Sequence, residues 1–452
     1  MKLLSQFKNR YNNITYKIYE TNNGVKVLHL DNPATIDFDL AVIHAAGSAF
    51  EIQQGVPRGT AHFLEHMLFN PNTYFRSLDD INRFEQGNRE RPTLHINAYT
   101  HKKYIMFVGH TNEKGTDRIF ERIEKIYDFP KEKFSRYINK ERNVILAEKS
   151  RKRKKKDNST FMFLDFMFKG IADEFTGDTL GEEMDIKAIT INDLEKYYKN
   201  KILSNTSVIS IQSNGEFNNQ IINRIEKLSS IFSQKNSNLR DIYLKNKWNV
   251  GVFPDKKENG ISIYFEYFYE LEKKIDYKDR VVSFLTARLL NWLSHNILRE
   301  KKGLIYSFSI AKNNVYSFKY YTYEYGFTTE KEKFINTLEE YYNLLYDTTF
   351  KFLKSKKGKE WFEDAISTYV FPKTASYDSA LAEEIAIDLL EDRELFNYNL
   401  AVNKAKKITI KDIEEFLKTQ LDIPPHVWIE GNIEKKKAKD ILRNSSFGKR
   451  FN

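Results

Sequence analysis

The chain has no cysteine, and none of its 452 residues belongs to an uninterrupted run of eighteen apolar residues. The first absence excludes disulfides, cysteine nucleophiles and thiolate metal ligands. The second gives no support for a transmembrane helix, and the amino-terminal segment MKLLSQFK has too short an apolar stretch for a signal peptide. We therefore expect a cytoplasmic protein with no membrane span.

The chain does have enough apolar and aromatic residues, 41% and 14% of the sequence, to fill one or two large cores. Alternating apolar residues predict strands at 25–30 and 38–44 and a later strand at 208–211. Helical periodicity predicts helices near 80–86 and 117–127. Strands followed by helices and a returning strand are typical of an α+β fold.

An internal repeat indicates two related domains. The segment 189–198 is echoed by 408–417, and at the same offset the β-branched run at 208–211 corresponds to 427–429. The polar stretch 234–238 lacks apolar periodicity and is the most linker-like part of the chain.

From the repeat and this polar stretch we predict three segments. Residues 1–228 form the first domain, 229–248 a linker and 249–452 the second domain. The second repeat has no metal-ligand pattern where the first has one, so the first domain alone is expected to bind a metal.

That metal-ligand pattern is the pentapeptide His-Phe-Leu-Glu-His, which begins at His62. On a helix, residues three and four apart share a face, so His62, Glu65 and His66 can meet at one metal ion. His-x-x-Glu-His is the inverted zincin motif, in which both histidines bind Zn²⁺ and the glutamate is the general base. Thr60 is predicted to cap this helix and Pro71 to end it. Since the pentapeptide arises by chance in roughly one chain in a hundred of this length, a third ligand has to support it.

A second helix is the candidate source of that ligand, because catalytic zinc takes three protein ligands and leaves one position for water. Residues 139–150 predict a helix on which Glu141 and Glu148 lie two turns apart on one face. Two carboxylates on a partly aliphatic face favour a cationic partner. The plainer interpretation is a solvated acidic face with salt bridges to Lys140 or Arg142.

Together, the zinc motif, the Gly-Ser-Ala-Phe-Glu segment before it and the carboxylate helix resemble the pitrilysin/insulinase family of inverzincin metallopeptidases, in a two-domain, short-chain form. The resemblance implies one Zn²⁺ per chain, bound by His62, His66 and Glu148. It implies Glu65 as the catalytic base and Glu141 as a carboxylate that orients a ligand histidine. It also implies two homologous domains, each a mostly antiparallel sheet covered by helices, that form half of a clamshell.

The segment Asn-Ala-Tyr-Thr is similar to the family's substrate-binding strand. By this resemblance Asn97 contacts the region of the scissile carbonyl. The strand edge formed by Ala98, Tyr99 and Thr100 then pairs with an extended peptide.

A pattern in the second half, with Arg299 and Tyr306 seven residues apart, is similar to the one with which the family's second domain reaches the substrate. The resemblance implies a catalytic role for both residues, and for Tyr306 stabilisation of the oxyanion. The segment 290–296 lacks the glycine-rich loop commonly found before this pattern. The resemblance therefore does not define the shape of the substrate cavity.

From these residues we predict a zinc-dependent endopeptidase that hydrolyses short or unfolded peptides. Because the chain is shorter than the four-domain members of the family, a homodimer or a heterodimer with a related subunit is expected. One alternative is a non-catalytic or partner-dependent subunit of a heteromeric processing peptidase. The intact metal motif argues against a non-catalytic subunit. Another alternative is a basic binding module for nucleic acid, which should show steep salt dependence and no metal requirement.

A run of six basic residues at 151–156 stands out in a chain whose formal net charge is +10. Such a run attracts acidic peptides, membrane surfaces or nucleic acid. Alternatively, it forms the solvated end of a helix, where the helix dipole favours basic residues at the carboxyl terminus. No aromatic residue is interleaved with the basic ones, so nucleic acid is not the expected partner.

Overall fold

A computed structural model of this protein describes every residue except 11, 155–157, 236–238, 240–243, 245, 271–273, 275, 315–319, 371–379 and 452. The strands of the described part are β1 Lys2–Lys8, β2 Thr15–Glu20, β3 Lys26–Asp31, β4 Asp37–His44, β5 His95–Thr100, β6 Ile105–Asn112, β7 Ser207–Ser213, β8 Asn249–Pro254, β9 Gly260–Glu270, β10 Ser307–Asn314, β11 Tyr320–Glu330 and β12 His426–Gly431.

The α-helices are α1 Glu51–Gln54, α2 Thr60–Leu68, α3 Leu78–Glu85, α4 Thr116–Ile126, α5 Lys131–Phe134, α6 Ile138–Lys154, α7 Asn158–Phe168, α8 Glu183–Ala188, α9 Ile191–Tyr197, α10 Asn219–Ser229, α11 Tyr277–Leu293, α12 Phe334–Asn343, α13 Thr349–Lys354, α14 Lys356–Val370, α15 Ala380–Leu390, α16 Tyr398–Ala405, α17 Ile410–Leu421, α18 Lys435–Asn444 and α19 Ser446–Phe451. The predicted strands and helices of the first half all occur, with ends that differ from the predictions by a few residues. No helix in the described part of the chain has the length and apolar character needed to cross a membrane.

The chain divides into two compact units. The first consists of Met1–Arg240 with Ala375–Phe396, and the second of Asp241–Thr374 with Asn397–Asn452. The predicted second domain, 249–452, is therefore interrupted by a segment that belongs to the first unit. The predicted linker, 229–248, lies partly outside the described residues.

The first unit contains a seven-stranded sheet in the order β1-β2-β3-β7-β4-β6-β5. Strands β3 and β7 are parallel, and the other neighbouring pairs are antiparallel. One face packs against helices that include α2, α4, α9 and α10, in a core of Val, Ile, Leu and Phe side chains. Strand β5 lies at one edge of this sheet.

Helix α15 covers part of the opposite face of the same sheet. Ile385, Ala386 and Leu389 pack against a second apolar cluster that includes Leu28 and Ile43. This packing explains the correction to the predicted domain boundary. Apolar periodicity identifies α15 as a helix with a buried face but does not say which sheet it covers.

The second unit contains a five-stranded sheet in the order β10-β11-β9-β12-β8, with β8 and β12 parallel. This order matches β5-β6-β4-β7-β3 of the first unit. The repeated segments are also alike locally, since Thr190 and Asp193 form a capping box at α9 just as Thr409 and Asp412 do at α17. The predicted α+β fold with two related domains is confirmed.

Candidate metal centre

Helix α2 carries the predicted zinc motif and is held in the core by the apolar residues between the polar ones. Its buried side chains include Ala61, Phe63, Leu64, Met67 and Leu68. His62 is 8% exposed, and Glu65 and His66 are half-buried. The apolar residues therefore bury most of the helix and leave its polar residues at the boundary of the core.

The amino terminus of α2 is capped by a residue that lies outside the helix. Glu51, 1% exposed, accepts hydrogen bonds from the backbone N–H groups of Gly59 (2.9 Å) and Ala61 (2.8 Å), one with each carboxylate oxygen. The N-cap residue is Gly59, not Thr60 as predicted, and Thr60 is the first helical residue. Gly59 has a φ of +88°, and a Cβ there would lie 2.2 Å from the carbonyl oxygen of Leu180.

Helix α6 brings two carboxylates to α2. Glu141 and Ile145 are buried on the same side of α6, and Glu148 is half-buried two turns from Glu141. Arg142 donates its hydrogen bonds to Asn139 and to main-chain carbonyls near α8, and Lys140 approaches Glu141 only to 4.0 Å. The two glutamates therefore face α2 rather than forming a solvated acidic surface.

His62, His66 and Glu148 bring one ligand atom each to within 4.8 Å of one another. The Nε2 atoms of His62 and His66 lie 3.8 and 3.7 Å from the same Oε2 atom of Glu148. Tetrahedral zinc with bonds of about 2.1 Å keeps its ligand atoms roughly 3.4 Å apart, so a small adjustment would accommodate the ion. Within the described ranges, no other group of three His, Asp or Glu residues meets the same distance criterion.

Glu141 faces the other ring nitrogen of His66. Its Oε2 lies 3.6 Å from Nδ1, which leaves Nε2 directed at Glu148. Burial alone would lower the pKa of His66, but Glu141, Glu148 and Glu65 outweigh it and raise the pKa to about 9. Burial would raise the pKa of Glu141, yet His66, Asn70 and Lys140 lower it overall. The carboxylates thus create a field that favours a cation.

Glu65 is linked to the edge strand β5. The hydroxyl of Thr100 donates a 2.6 Å hydrogen bond to Oε2 of Glu65. This contact joins the predicted base to the predicted substrate strand, and the spacing of the motif gave no signal for it. The sequence likewise gave no signal that Glu51 reaches the start of α2.

The other residues of the predicted substrate strand interact with one another. Asn97 and Tyr99 are exposed, and Ala98 is buried. The N–H of Ala98 donates to Oδ1 of Asn97 (2.9 Å), and Nδ2 of Asn97 donates to the hydroxyl of Tyr99 (3.0 Å). The side-chain oxygen of Asn97 therefore already accepts a hydrogen bond from a main-chain N–H of this edge strand.

Arg299 and Tyr306 belong to the second unit. Arg299 lies in a π-helical segment that follows α11, and its Nε is 3.9 Å from Oε1 of Glu300. Tyr306 is 57% exposed, and its hydroxyl donates to Glu330 (2.8 Å). Of the basic run at 151–156, Arg151 is exposed, and the other side chains lie outside the described residues.

Comparison with known proteins places this site in a family context. Residues 26–169 match the sequence model of Insulinase (Peptidase family M16), and this stretch contains His62, Glu65, His66, Glu141 and Glu148. A protein of Arabidopsis thaliana named "Probable mitochondrial-processing peptidase subunit beta, mitochondrial" is 29% identical over 209 residues, which are 46% of this chain and 37% of the relative. The chain thus matches well under half of that relative's length.

Solved structures show the same fold at low sequence identity. The periplasmic protease PqqL from Escherichia coli aligns with a TM-score of 0.75 at 16% identity, over 99% of this chain and 51% of its own. A peptidase M16 domain from Pseudomonas fluorescens, described as inactive, aligns with a TM-score of 0.72 at 14% identity, over 93% of this chain and 98% of its own. Because an inactive domain shares the fold, activity has to be argued from the site residues.

Proposed function

This chain belongs to the insulinase family of peptidases (family M16), and we propose that it is a zinc-dependent endopeptidase of short or unfolded peptides. The observation that most supports the proposal is the convergence of His62, His66 and Glu148 from two helices, with Glu65 on the same helix as the histidines. Two imidazoles and one carboxylate are a ligand set used by catalytic zinc, which leaves the fourth position for water.

Amide hydrolysis requires a nucleophile at neutral pH, a polarised carbonyl and a proton for the leaving amine. When bound, zinc would supply Lewis acidity and lower the pKa of a water molecule. Glu65 accepts the proton from the attacking water and passes it to the amine as the C–N bond breaks. Glu141 keeps His66 oriented, with Nδ1 towards its own carboxylate and Nε2 towards Glu148.

An extended peptide would add to the edge of β5 and be held by its main chain, with little dependence on its sequence. Pairing with the N–H of Ala98 requires the Asn97 amide to turn away from it, after which Asn97 is free to contact the peptide. Arg299 and Tyr306 are kept as predicted catalytic residues, with Tyr306 as the donor to the oxyanion.

The proposal is tested by hydrolysis of a quenched fluorescent peptide library by the purified chain. We expect cleavage that stops with a chelator and returns with zinc. Cleavage should be absent in Glu65→Gln, although that variant should bind about one zinc per chain. The zinc content of the variant is the control, because it separates loss of the base from loss of the metal. Activity that resists the chelator would contradict the metal mechanism, and activity in Glu65→Gln would contradict the role of Glu65.

A second candidate function is a subunit that cleaves peptides only with a related partner chain. It is favoured by the match to half of PqqL and to a relative named as a subunit. It predicts zinc binding without hydrolysis by the isolated chain. Size-exclusion chromatography with light scattering would distinguish a homodimer from a monomer that needs a different partner.

A further inference from the structure

We propose that Thr100 is a positioning residue for the catalytic base, a role separate from the substrate contact that the strand provides with its main chain. Its hydroxyl holds the Glu65 carboxylate in one orientation for proton transfer. The inference rests on the proposed function, because it assigns a role in the same reaction.

The orientation of β5 supports this role. Side chains alternate between the two faces of a strand, and Ala98, two residues before Thr100, belongs to the apolar core that contains α2. Thr100 therefore points to the helix side, while Asn97 and Tyr99 point to the exposed side. On the helix side its hydroxyl meets Glu65 at 2.6 Å.

The chemistry of the contact explains why a hydroxyl matters there. A glutamate side chain has three rotatable torsions, and a hydrogen bond from a hydroxyl to a carboxylate is short and about twice as strong as a neutral one. Fixing one oxygen of Glu65 through such a bond limits the orientations of the other. Because alignment of reacting groups is required in the transition state, its loss should lower kcat rather than raise KM.

The same residue also couples the base to the bound peptide. Thr100 ends the edge strand that would pair with the substrate, and its side chain reaches the helix that carries Glu65 and both histidines. A peptide in register with β5 is therefore in register with the base. Among the residues that the structure describes, Thr100 is the residue of β5 that hydrogen-bonds to the zinc-motif helix.

The test compares Thr100→Val with Thr100→Ser in the zinc-loaded protein. Valine keeps the shape but removes the hydroxyl, so we expect kcat to fall about 10-fold or more with KM changed less than about 2-fold. Serine keeps the hydroxyl and should recover most of the kcat. Thr111→Val is the matched control. Thr111 lies in the neighbouring strand β6, and the variant removes the hydrogen bond from its hydroxyl to the carbonyl of Thr93. The kcat of this control should match that of the wild type.

A second measurement does not depend on activity. In the metal-free protein, Thr100→Val should lower the Tm by about 2–4 °C, but cause no further loss in a Glu65→Ala background, since the bond is then already absent. Full kcat in Thr100→Val, or a serine variant as slow as the valine variant, would overturn the positioning role. Additive Tm losses would overturn the hydrogen bond itself. If the wild type binds zinc but cleaves nothing, the proposed function fails and the positioning role fails with it, while the Tm comparison still reports the bond.

Discussion

Replacement of Glu51 by alanine is the perturbation that most directly tests how the fold holds the zinc-motif helix. The carboxylate is 1% exposed and accepts the backbone N–H groups of Gly59 and Ala61, next to His62. Alanine would leave both donors at the amino terminus of α2 buried and without this acceptor. The first turn of the helix, which carries His62, would then lose its anchor.

The size of the effect follows from these two bonds. A hydrogen bond between neutral groups contributes about 0.5–1.5 kcal/mol, one to a charged group about 1.5–3 kcal/mol, and loss of a helix cap costs about 0.5–2 kcal/mol. The cost of burying the carboxylate acts in the opposite direction. Burial raises the pKa of Glu51 to about 8, and the bonds from Ala61 and Gly59 and the charges of Lys102 and Arg58 only partly oppose this. At pH 7 the carboxyl is therefore mostly protonated, and its two hydrogen bonds are close to neutral ones. We expect a net loss of about 1–3 kcal/mol, with the Gln variant, which keeps one acceptor, losing about half.

The assay is urea unfolding of the full chain together with zinc affinity, measured by competition with a chromophoric chelator. We expect Glu51→Ala to bind zinc about 10-fold more weakly, as for loss of other groups that orient ligands. Asn218→Ala is the matched control. Asn218 caps α10 in the same unit through the N–H of Ile221, and its loss should cost about 1 kcal/mol without changing zinc affinity.

Two results would refute this reasoning in different ways. A wild-type urea midpoint for Glu51→Ala would mean that the two hydrogen bonds add no net stability. A destabilised variant with unchanged zinc affinity would mean that Glu51 supports the fold but does not position His62.

Two further predictions concern a ligand histidine and a buried one. Glu141→Gln should weaken zinc binding about 10- to 100-fold, because the amide holds the Nδ1 side of His66 less strongly; chelator competition measures this, and equal affinity would exclude the orienting role. His44 is fully buried between the hydroxyls of Ser207 and Tyr127, and burial lowers its pKa from 6.5 to about 3. Below pH 6.5 the unfolded chain binds a proton there that the folded chain does not. The contribution of His44 to the free energy of unfolding should therefore fall by about 1.4 kcal/mol per pH unit as the pH drops towards 3. Urea titrations at pH 7 and pH 5 measure this, and a His44→Gln variant with the same pH slope as the wild type would contradict it.

The parts of this protein that the sequence determined by itself are those set by spacing along one element. The separation of His62, Glu65 and His66 places them on one face of any helix, and Glu141 and Glu148 follow the same rule two turns apart. Alternation identified the central strands, and the repeat predicted two related domains, whose sheets share one strand order in the structure. These features are local or repeated, so they are readable without knowing what packs against what.

Contacts between distant segments were decided by the tertiary structure. The sequence did not indicate that Glu51 caps α2, that Thr100 donates to Glu65, or that α15 covers the first sheet. Periodicity shows that a face is buried, but many partners can cover it equally well. Which partner does so depends on how the helices and sheet pack as a whole, because only that packing brings segments distant in the chain within hydrogen-bonding distance.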